Sequence, residues 1–444
     1  MNSLKQLIAL SLTAFIFGSG CDKPIPVDTN SWSASQVVSQ SRDSLASGLA
    51  LHKWNNSLLA LNGDTGSVVV YFLQNDGKTW REEKSSSPKS LLPLNCDPKS
   101  NRFAISRGKM MGDKMDVTFL VGSIDRDGSL RNSVEKNLPF NVNSFFDKPN
   151  PGVTFSRGPA TAVFAQGVLA DTYICIPYGL FGDNASGRYA DGPFANGVFY
   201  SSDSGTTWQK EQISDFDAPE WSFCRTKEFN YYFLGKKADN TLCYSRSPAN
   251  GRTWTTPETI NKTFGTSGFI RCCISASEED TAHLCWLDRR HEKKRLNPVY
   301  PNCENYEVAY CHRKDTDDAW SKDVILSKGL CYAYSPSISV EGDKVVVAWA
   351  GVKSDKDGRN EWNPSDIYYV TSKDGGKTWA KPMQVTDSFK NGITSGKPQV
   401  AIYHNVIHLF YIQGKLNYQE VSAGMAKLNQ PPWPIYYTQR PFPD

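Results

Sequence analysis

The stretch that decides the fold is Ser201–Trp208, which reads SSDSGTTW and returns in Ser372–Trp379 as SKDGGKTW. Both copies match the pattern Ser-x-Asp-x-Gly-x-Thr-Trp at every fixed position. Weaker copies lie in residues 75–80, 123–128, 247–254 and 315–320. A phrase repeated many times along a chain indicates a fold built by stacking one supersecondary unit.

The chemistry of the repeat predicts a hairpin turn. Alternating apolar runs, Val198–Tyr200 and Ile367–Val370, precede the two full copies. The aspartate can accept backbone N–H groups inside such a turn, and glycine supplies a conformation that a side chain would forbid. The tryptophan ring can bury a large apolar area between neighbouring sheets. The repeat therefore indicates architecture and says nothing direct about chemistry.

This repeat resembles the Asp-box, or bacterial neuraminidase repeat, of the sialidase superfamily of β-propellers. The resemblance implies an all-β fold, a β-propeller of four-stranded antiparallel blades with Asp-box hairpins between the third and fourth strands. Together with the repeats of this chain it predicts a six- or seven-bladed propeller. Five tryptophans end successive units, and the weak copy near Gly128 fills the longest gap between them. They are Trp80, Trp208, Trp254, Trp320 and Trp379.

A seventh unit is expected beyond Trp379, whereas the family has six. Three further alternating stretches follow, in residues 400–403, 406–411 and 416–421, and residues 31–41 could supply the fourth strand. The predicted domain organisation is a signal segment in residues 1–21, a propeller in 30–425 and a C-terminal tail in 426–444.

Composition and the N-terminus limit the function classes. The chain has 444 residues and a net charge of +3, with no basic run carrying interleaved aromatics, so nucleic-acid binding has no support. Lys5 precedes the apolar run Leu7–Phe17, which ends near Cys21. This pattern predicts a secretory signal. We expect an extracellular, periplasmic or cell-surface protein, tethered to a membrane if Cys21 is lipidated.

Ten of the 11 cysteines lie outside this segment. An even number in an exported protein favours disulfides, but Cys175, Cys243, Cys285 and Cys311 fall inside strand-like runs and fit buried thiols equally well. No Cys/His set has the spacing of a metal site, so neither a metal nor a cofactor is expected.

Strand parity predicts where a site would lie. If the box joins strands three and four at one edge, the loops between strands two and three lie at the opposite edge. The long insertions, residues 181–196, 288–303 and 352–364, all fall in that class. Long loops collected on one side of a rigid scaffold are a common place for binding sites.

The resemblance implies a tyrosine nucleophile paired with a glutamate, and an aspartate acid/base. The tyrosine needs the carboxylate because a neutral phenol is a poor nucleophile. The matching positions are Tyr334 in Ala-Tyr-Ser, Glu220 at the start of the fourth unit and Asp64 in Gly-Asp-Thr-Gly. Each has a structural alternative: Tyr334 as a strand residue, Glu220 as a solvated loop residue and Asp64 as a turn residue.

The family's three carboxylate-gripping arginines are not matched. Lys236 stands at the second position, Arg42 is the nearest arginine to the first, and Arg289 and Arg290 lie in the loop before the third. Lysine keeps the charge but lacks the planar, two-pronged grip of a guanidinium on a carboxylate.

Two functions follow from the resemblance. The first is an exported sialidase-like glycoside hydrolase that removes a terminal acidic sugar through Tyr334, Glu220 and Asp64, with a glycan or glycoconjugate as substrate. The second is a non-catalytic Asp-box propeller that binds a glycan or a protein. The Tyr–Glu pair favours the enzyme, and the unmatched arginines favour the binding protein.

Overall fold

The computed structural model describes residues 32–41, 50–54, 57–64, 67–74, 77–85, 94–97, 102–111, 114–124, 130–138, 161–164, 168–170, 173–181, 195–203, 205–212, 223–225, 231–236, 241–247, 253–262, 272–277, 280–288, 306–328, 330, 332–352, 365–388, 393–415 and 433–443. These residues form strands and turns without a helix. The strands build seven sheets in which every pairing is antiparallel. The predicted all-β class and its four-stranded antiparallel units are confirmed.

The first three sheets follow one another along the chain. The first contains β2 (Ala50–Trp54), β3 (Ser57–Asp64), β4 (Ser67–Leu73) and β5 (Trp80–Ser85). The second contains β6 (Leu94–Asp97), β7 (Arg102–Met111), β8 (Lys114–Ile124) and β9 (Leu130–Leu138). The third contains β10 (Thr161–Phe164), β11 (Val168–Ala170), β12 (Tyr173–Phe181), β13 (Ala195–Ser201) and β14 (Gln209–Gln212), with β10 and β11 both paired to β12.

The next three sheets keep the same order. The fourth contains β15 (Phe223–Arg225), β16 (Tyr231–Lys236), β17 (Thr241–Ser247) and β18 (Glu258–Lys262). The fifth contains β19 (Cys272–Ala276), β20 (Thr281–Asp288), β21 (Glu307–Lys314) and β22 (Val324–Ile325). The sixth contains β23 (Tyr332–Glu341), β24 (Lys344–Val352), β25 (Asp366–Ser372) and β26 (Met383–Gln384).

The seventh sheet joins the two ends of the chain. It contains β27 (Ile393–Tyr403), β28 (Val406–Lys415), β29 (Trp433–Pro441) and β1 (Gln36–Ser41). β1 pairs with β29, so the N-terminal segment supplies the fourth strand, as expected from residues 31–41.

The third strand of this sheet differs from the expectation. It is β29, inside the segment predicted to be a C-terminal tail, and not residues 416–421, which lie outside the described residues. Pro434 lies within the strand and is paired with Gln40. Proline is unusual in a central strand, which hides this strand from sequence reasoning. Ile435 and Tyr437 nevertheless bury their side chains completely.

The first strands of the sheets contact each other in a closed order. β2 contacts β6, β6 contacts β11, β11 contacts β15, β15 contacts β19, β19 contacts β23, and β23 contacts β27. β27 in turn contacts β2. One strand from each sheet therefore takes part in a cycle that returns to its start.

An edge-on contact between a tryptophan and a tyrosine recurs between consecutive sheets, and we call this contact a tryptophan wedge. In each case a tryptophan at or just before the fourth strand packs edge-on against a tyrosine in the third strand of the preceding sheet, with ring centroids 4.6 to 5.4 Å apart. The pairs are Trp320–Tyr244, Trp379–Tyr310, Trp32–Tyr369 and Trp80–Tyr437. Trp32 was not recognised in the sequence because it lies at the opposite end of the chain from its sheet.

The two full Asp-boxes form the predicted hairpin turns between third and fourth strands. The Ser201 hydroxyl donates to Asp203 at 2.8 Å, and the Thr207 backbone N–H and hydroxyl donate to the same carboxylate at 2.8 and 2.7 Å. The bonds from Thr207 hold the pKa of Asp203 well below its usual range. Residues 372–379 repeat this arrangement around Asp374.

Glycine is required in the second box. Gly376 has a φ of +85°, and a Cβ at this position would overlap the Tyr310 side chain of the preceding sheet. The box sequence therefore allows the close approach that lets Trp379 reach Tyr310.

Cys224, Cys243, Cys273, Cys285 and Cys311 are free thiols. Cys243, Cys285 and Cys311 are buried in the third, second and third strands of their sheets, which supports the buried-thiol alternative for these three. Burial raises the pKa of Cys311.

Candidate functional site

The two edges of the sheets can be assigned from strand order. The Asp-boxes connect third to fourth strands, and we call that side the box edge. Residues 182–194, 289–306 and 353–365 connect second to third strands. Because antiparallel strands reverse direction at each turn, these connections share the opposite side with the starts of the first strands. We call this side the insertion edge.

Tyr334 lies near the insertion edge in the first strand of the sixth sheet. It is the third residue of β23 and pairs with Ala350. Its half-buried ring packs against two clusters of buried side chains, one between the fifth and sixth sheets and one between the sixth and seventh. The hydroxyl donates a hydrogen bond to Ser365 Oγ at 2.5 Å. The structure thus holds one end of the predicted nucleophile by packing and the other by a hydrogen bond.

Ser365 connects Tyr334 to the seventh sheet. Ser365 Oγ donates to the Ser395 carbonyl at 2.6 Å and lies 2.8 Å from Thr394 Oγ1. The Ser365 backbone N–H donates to Thr394 Oγ1 at 3.1 Å, and the Ser395 N–H donates to the Ser365 carbonyl at 2.8 Å. Side chain and backbone of this one residue therefore bridge β27 and the start of β25.

A buried carboxylate, Asp366, lies next to Ser365 in the chain and extends its hydrogen-bond network. Asp366 is 4% exposed and accepts hydrogen bonds from Gln384 Nε2 at 2.8 Å, Thr386 Oγ1 at 2.9 Å and the Ser388 N–H at 2.6 Å. Burial raises the pKa of Asp366, and the hydrogen bonds from Ser388 and Thr386 oppose that rise. Ser388 Oγ also lies 2.7 Å from Ser395 Oγ, so the network is continuous from Asp366 to Ser395.

Strained backbone flanks Tyr334 on two neighbouring first strands. Ser335 has a φ of +50° and Lys397 a φ of +49°, and each precedes a proline at a break in strand register. A positive φ in a residue other than glycine costs about 1–3 kcal/mol and is concentrated at functional sites. Gly396 lies against Tyr334, since a Cβ there would stand 3.9 Å from the tyrosine hydroxyl.

Two other predicted site residues lie at the same edge. Asp64 is the last residue of β3, where it pairs with Ser67, and Lys236 is the last residue of β16, where it pairs with Leu242. Each is the last residue of the second strand in its sheet, as Val352 is in the sixth sheet. Backbone topology therefore assigns Asp64, Lys236 and Tyr334 to the insertion edges of three different sheets.

The remaining predicted site residues lie outside the described residues: Glu220, Arg42, Arg289 and Arg290. Within the described segments, no group of three or more His, Cys, Asp or Glu side chains is placed to hold a metal ion. None of those segments forms a helix with the length and hydropathy that a bilayer crossing requires.

Sequence reasoning missed Ser365, Thr394 and Ser395. Their role depends on contacts between residues 29 to 31 positions apart, which no local pattern reports. One signal was available, because Ser335-Pro336 and Lys397-Pro398 occupy corresponding points in consecutive first strands. This correspondence would have pointed to the start of β27 as a neighbour of Tyr334.

Comparison with known proteins gives low similarities. No protein-family model and no curated protein matches the chain. Solved structures that match include a PL25 ulvan lyase, at 13% identity and a TM-score of 0.44 over 70% of this chain and 78% of the lyase. A GH74 enzyme of Niastella koreensis matches at 13% sequence identity and a TM-score of 0.48, over 86% of this chain and 54% of the enzyme.

A sialidase of Trypanosoma rangeli matches at 11% identity and a TM-score of 0.42, over 88% of this chain and 53% of the sialidase. The chain thus spans about half the length of the GH74 enzyme and of the sialidase. Identities and TM-scores this low transfer neither an activity nor a substrate to this chain.

Proposed function

We propose that this chain is a seven-bladed β-propeller with a glycan site at its insertion edge, and that it is an exported, sialidase-like glycoside hydrolase. The seven antiparallel sheets, the closed order of their first strands and the recurring tryptophan wedges support the propeller. The propeller domain then extends from Trp32 to the end of β29, because the seventh sheet needs both ends of the chain.

The observation that carries the enzyme proposal is the position of Tyr334. Its hydroxyl lies at the insertion edge of a first strand, fixed by Ser365 and flanked by a strained residue on each of two neighbouring strands. A core tyrosine needs neither a bridging serine nor strained neighbours. Fixed orientation and stored strain are what a nucleophile requires before its substrate arrives.

In the proposed reaction the Tyr334 oxygen attacks the anomeric carbon of a terminal acidic sugar while Glu220 takes the phenolic proton. Asp64 gives a proton to the departing glycosidic oxygen, which leaves a sugar bound to Tyr334. A water molecule then attacks the same carbon and loses its proton to Asp64, and the tyrosine oxygen recovers its proton from Glu220. Lys236, Arg42, Arg289 and Arg290 are the cations available to hold the acidic group.

The test is hydrolysis of a fluorogenic α-sialoside, and of uronic and neutral glycosides, by protein lacking residues 1–21. We expect Tyr334→Phe to lower turnover at least about 1000-fold, because it removes the nucleophile and no other atom. Tyr411→Phe is the matched control, since the Tyr411 hydroxyl also donates a hydrogen bond to a serine, Ser35, at 2.8 Å. Equal activity of wild type and Tyr334→Phe would reject the mechanism.

A specific observation favours the second candidate, a glycan-binding propeller without catalysis. Ser365 accepts a hydrogen bond from the Tyr334 hydroxyl and donates its own hydrogen to a carbonyl, so Ser365 cannot serve as the base. If the hydroxyl keeps this bond with substrate bound, Tyr334 acts as a contact surface only. A glycan array distinguishes the two, because binding without hydrolysis of any bound glycan supports the second candidate.

We also propose that the chain is exported through residues 1–21 and tethered to a membrane by a lipid on Cys21. The apolar run before this cysteine supports export. Mass spectrometry of the mature N-terminus is the measurement, with Cys21→Ala as control. A lipid-sized mass on Cys21 that the variant lacks is expected, and an unmodified N-terminus would contradict the tether.

A further inference from the structure

We propose that Ser365 is the residue that positions Tyr334 for attack. This inference rests on the proposed function of Tyr334 and assigns a role to a residue that the sequence did not identify. Ser365 does not exchange protons with the substrate; it sets where the Tyr334 hydroxyl stands.

The direction of the hydrogen bonds supports this role. Ser365 Oγ donates to the Ser395 carbonyl at 2.6 Å, which leaves its lone pairs to accept hydrogen bonds. It accepts one from the Tyr334 hydroxyl. Because the serine hydrogen is already engaged, the phenolic hydrogen points toward Ser365 before substrate binds, and a lone pair of the phenol points away from it. Ser365 thus fixes the place of the oxygen, and the hydroxyl turns its hydrogen to Glu220 when substrate binds.

The serine is itself held from several sides. Its side chain is buried at 2% exposure, its backbone N–H donates to Thr394 Oγ1, and its carbonyl accepts from the Ser395 N–H. The adjacent Asp366 is locked by Gln384, Thr386 and Ser388. A group fixed by this many bonds can impose its position on Tyr334.

The bridge also couples the position of the tyrosine to the junction between two sheets. Thr394 and Ser395 belong to β27 in the seventh sheet, whereas Tyr334 belongs to β23 in the sixth. A displacement of β27 would therefore move the tyrosine hydroxyl through Ser365. Positioning of this kind matters because a shift of about 1 Å in a reacting atom can lower a rate by about 100-fold.

The first test is kinetic. We expect Ser365→Ala to lower kcat by about 10-fold or more with KM changed less than about twofold, and Ser365→Thr, which keeps a hydroxyl, to recover most of kcat. Ser35→Ala is the matched control, because it removes the serine partner of Tyr411 and should leave kcat unchanged. Loss of activity that Thr does not restore, or an equal loss in Ser35→Ala, would overturn the proposal.

The second test does not require activity. 3-Fluorotyrosine is incorporated at the 20 tyrosines, and the ¹⁹F resonance of Tyr334 is identified by its absence in Tyr334→Phe. Ser365→Ala should shift and broaden that resonance, and Ser365→Thr and Ser35→Ala should leave it near its wild-type position. An unchanged Tyr334 resonance in Ser365→Ala would overturn the proposal.

The two tests also separate this inference from the proposed function. If the protein hydrolyses none of the glycosides but the resonance responds as expected, the hydrolase is rejected and Ser365 still positions Tyr334. If hydrolysis depends on Tyr334 and the resonance does not respond, the hydrolase stands and Ser365 has no positioning role. Should Ser365→Ala fail to fold, the Ser365→Thr variant decides, since displacement of its Tyr334 resonance together with loss of kcat would contradict the role given to the hydroxyl.

Discussion

The box edge and the insertion edge of the same sheets are built on different principles. At the box edge, Asp203 and Asp374 bond to residues two to four positions away, and the arrangement is the same in both copies. At the insertion edge, Tyr334, Ser365 and Ser395 bond across 30 or 31 positions and join two sheets. Local bonds repeated in both copies fix these turns, whereas long-range bonds join the sixth and seventh sheets at the proposed site.

This difference predicts that substitutions at the box edge change stability and leave the site intact. The largest expected effect is that of Trp32→Ala. Trp32 is 8% exposed and packs edge-on against Tyr369, and it lies just before β1, the strand that closes the seventh sheet. Its loss should lower the free energy of unfolding by about 3–5 kcal/mol.

Chemical denaturation measures this effect, and Val37→Ala is the control, because Val37 is 52% exposed in the same strand region. The control should change the free energy of unfolding by less than about 0.5 kcal/mol. Equal stability of the two variants would show that the wedge at the chain ends contributes nothing to closure.

The next effect tests the glycine of the second box. Gly376→Ala should lower the free energy of unfolding by about 3 kcal/mol, because it combines a positive φ with overlap of the Tyr310 side chain. Gly77→Ala is the matched control: Gly77 has a φ of +66° and nothing within 4 Å of the added carbon. We expect about 1 kcal/mol there, from the backbone alone.

Thermal or chemical unfolding of both variants separates overlap from backbone strain. If Gly77→Ala is as destabilising as Gly376→Ala, the contact between the box and the preceding sheet is not what requires glycine.

Acidification should also lower the free energy of unfolding through His283, which lies beside Tyr310. Burial, with a smaller contribution from His312, lowers the pKa of His283 to about 3, and its Nδ1 lies 2.7 Å from the Tyr310 hydroxyl. The folded pKa lies below the unfolded value, so the unfolded chain binds the proton first. Stability is therefore full above about pH 6.5 and is lost as pH falls toward 3.

We expect His283→Gln, which does not titrate, to lose about 3 kcal/mol less stability than the wild type between pH 7 and pH 4. Urea unfolding at the two pH values is the measurement. Parallel losses in the two proteins would mean that His283 does not titrate differently in the folded and unfolded states.

The smallest effect belongs to the insertion edge and has the opposite sign. Ser335→Gly relieves a φ of +50°, so the free energy of unfolding should rise by up to about 1 kcal/mol while turnover falls, because the backbone beside Tyr334 becomes less fixed. Asn405→Gly is the control: Asn405 has a φ of +63° in the turn between β27 and β28, far from that site along the strand. A fall in stability together with full activity would contradict the assignment of stored strain to the site.

Much of the fold could be predicted from sequence because its signals are local. The eight residues of each repeat, Ser201–Trp208 and Ser372–Trp379, predict a turn between the third and fourth strands, and the spacing between copies predicts the length of a unit. Trp32 and β29 escaped prediction because closure joins the two chain ends, and Pro434 disguises a strand.

The site was predictable only in part. Tyr334 was found through the family resemblance, and its neighbours were not, because Ser365 and Ser395 are ordinary residues until folding brings them together. The same holds for Lys397, whose positive φ is a property of the folded backbone and leaves no mark in the sequence.

The most direct test of the central claim is to trap the sugar on the nucleophile. Protein incubated with 2,3-difluorosialic acid, a fluorinated form of the proposed substrate sugar, is digested and examined by mass spectrometry. We expect a glycosyl adduct on the peptide containing Tyr334 and none in Tyr334→Phe. An adduct on another residue, or α-sialoside turnover without an adduct on Tyr334, would contradict it.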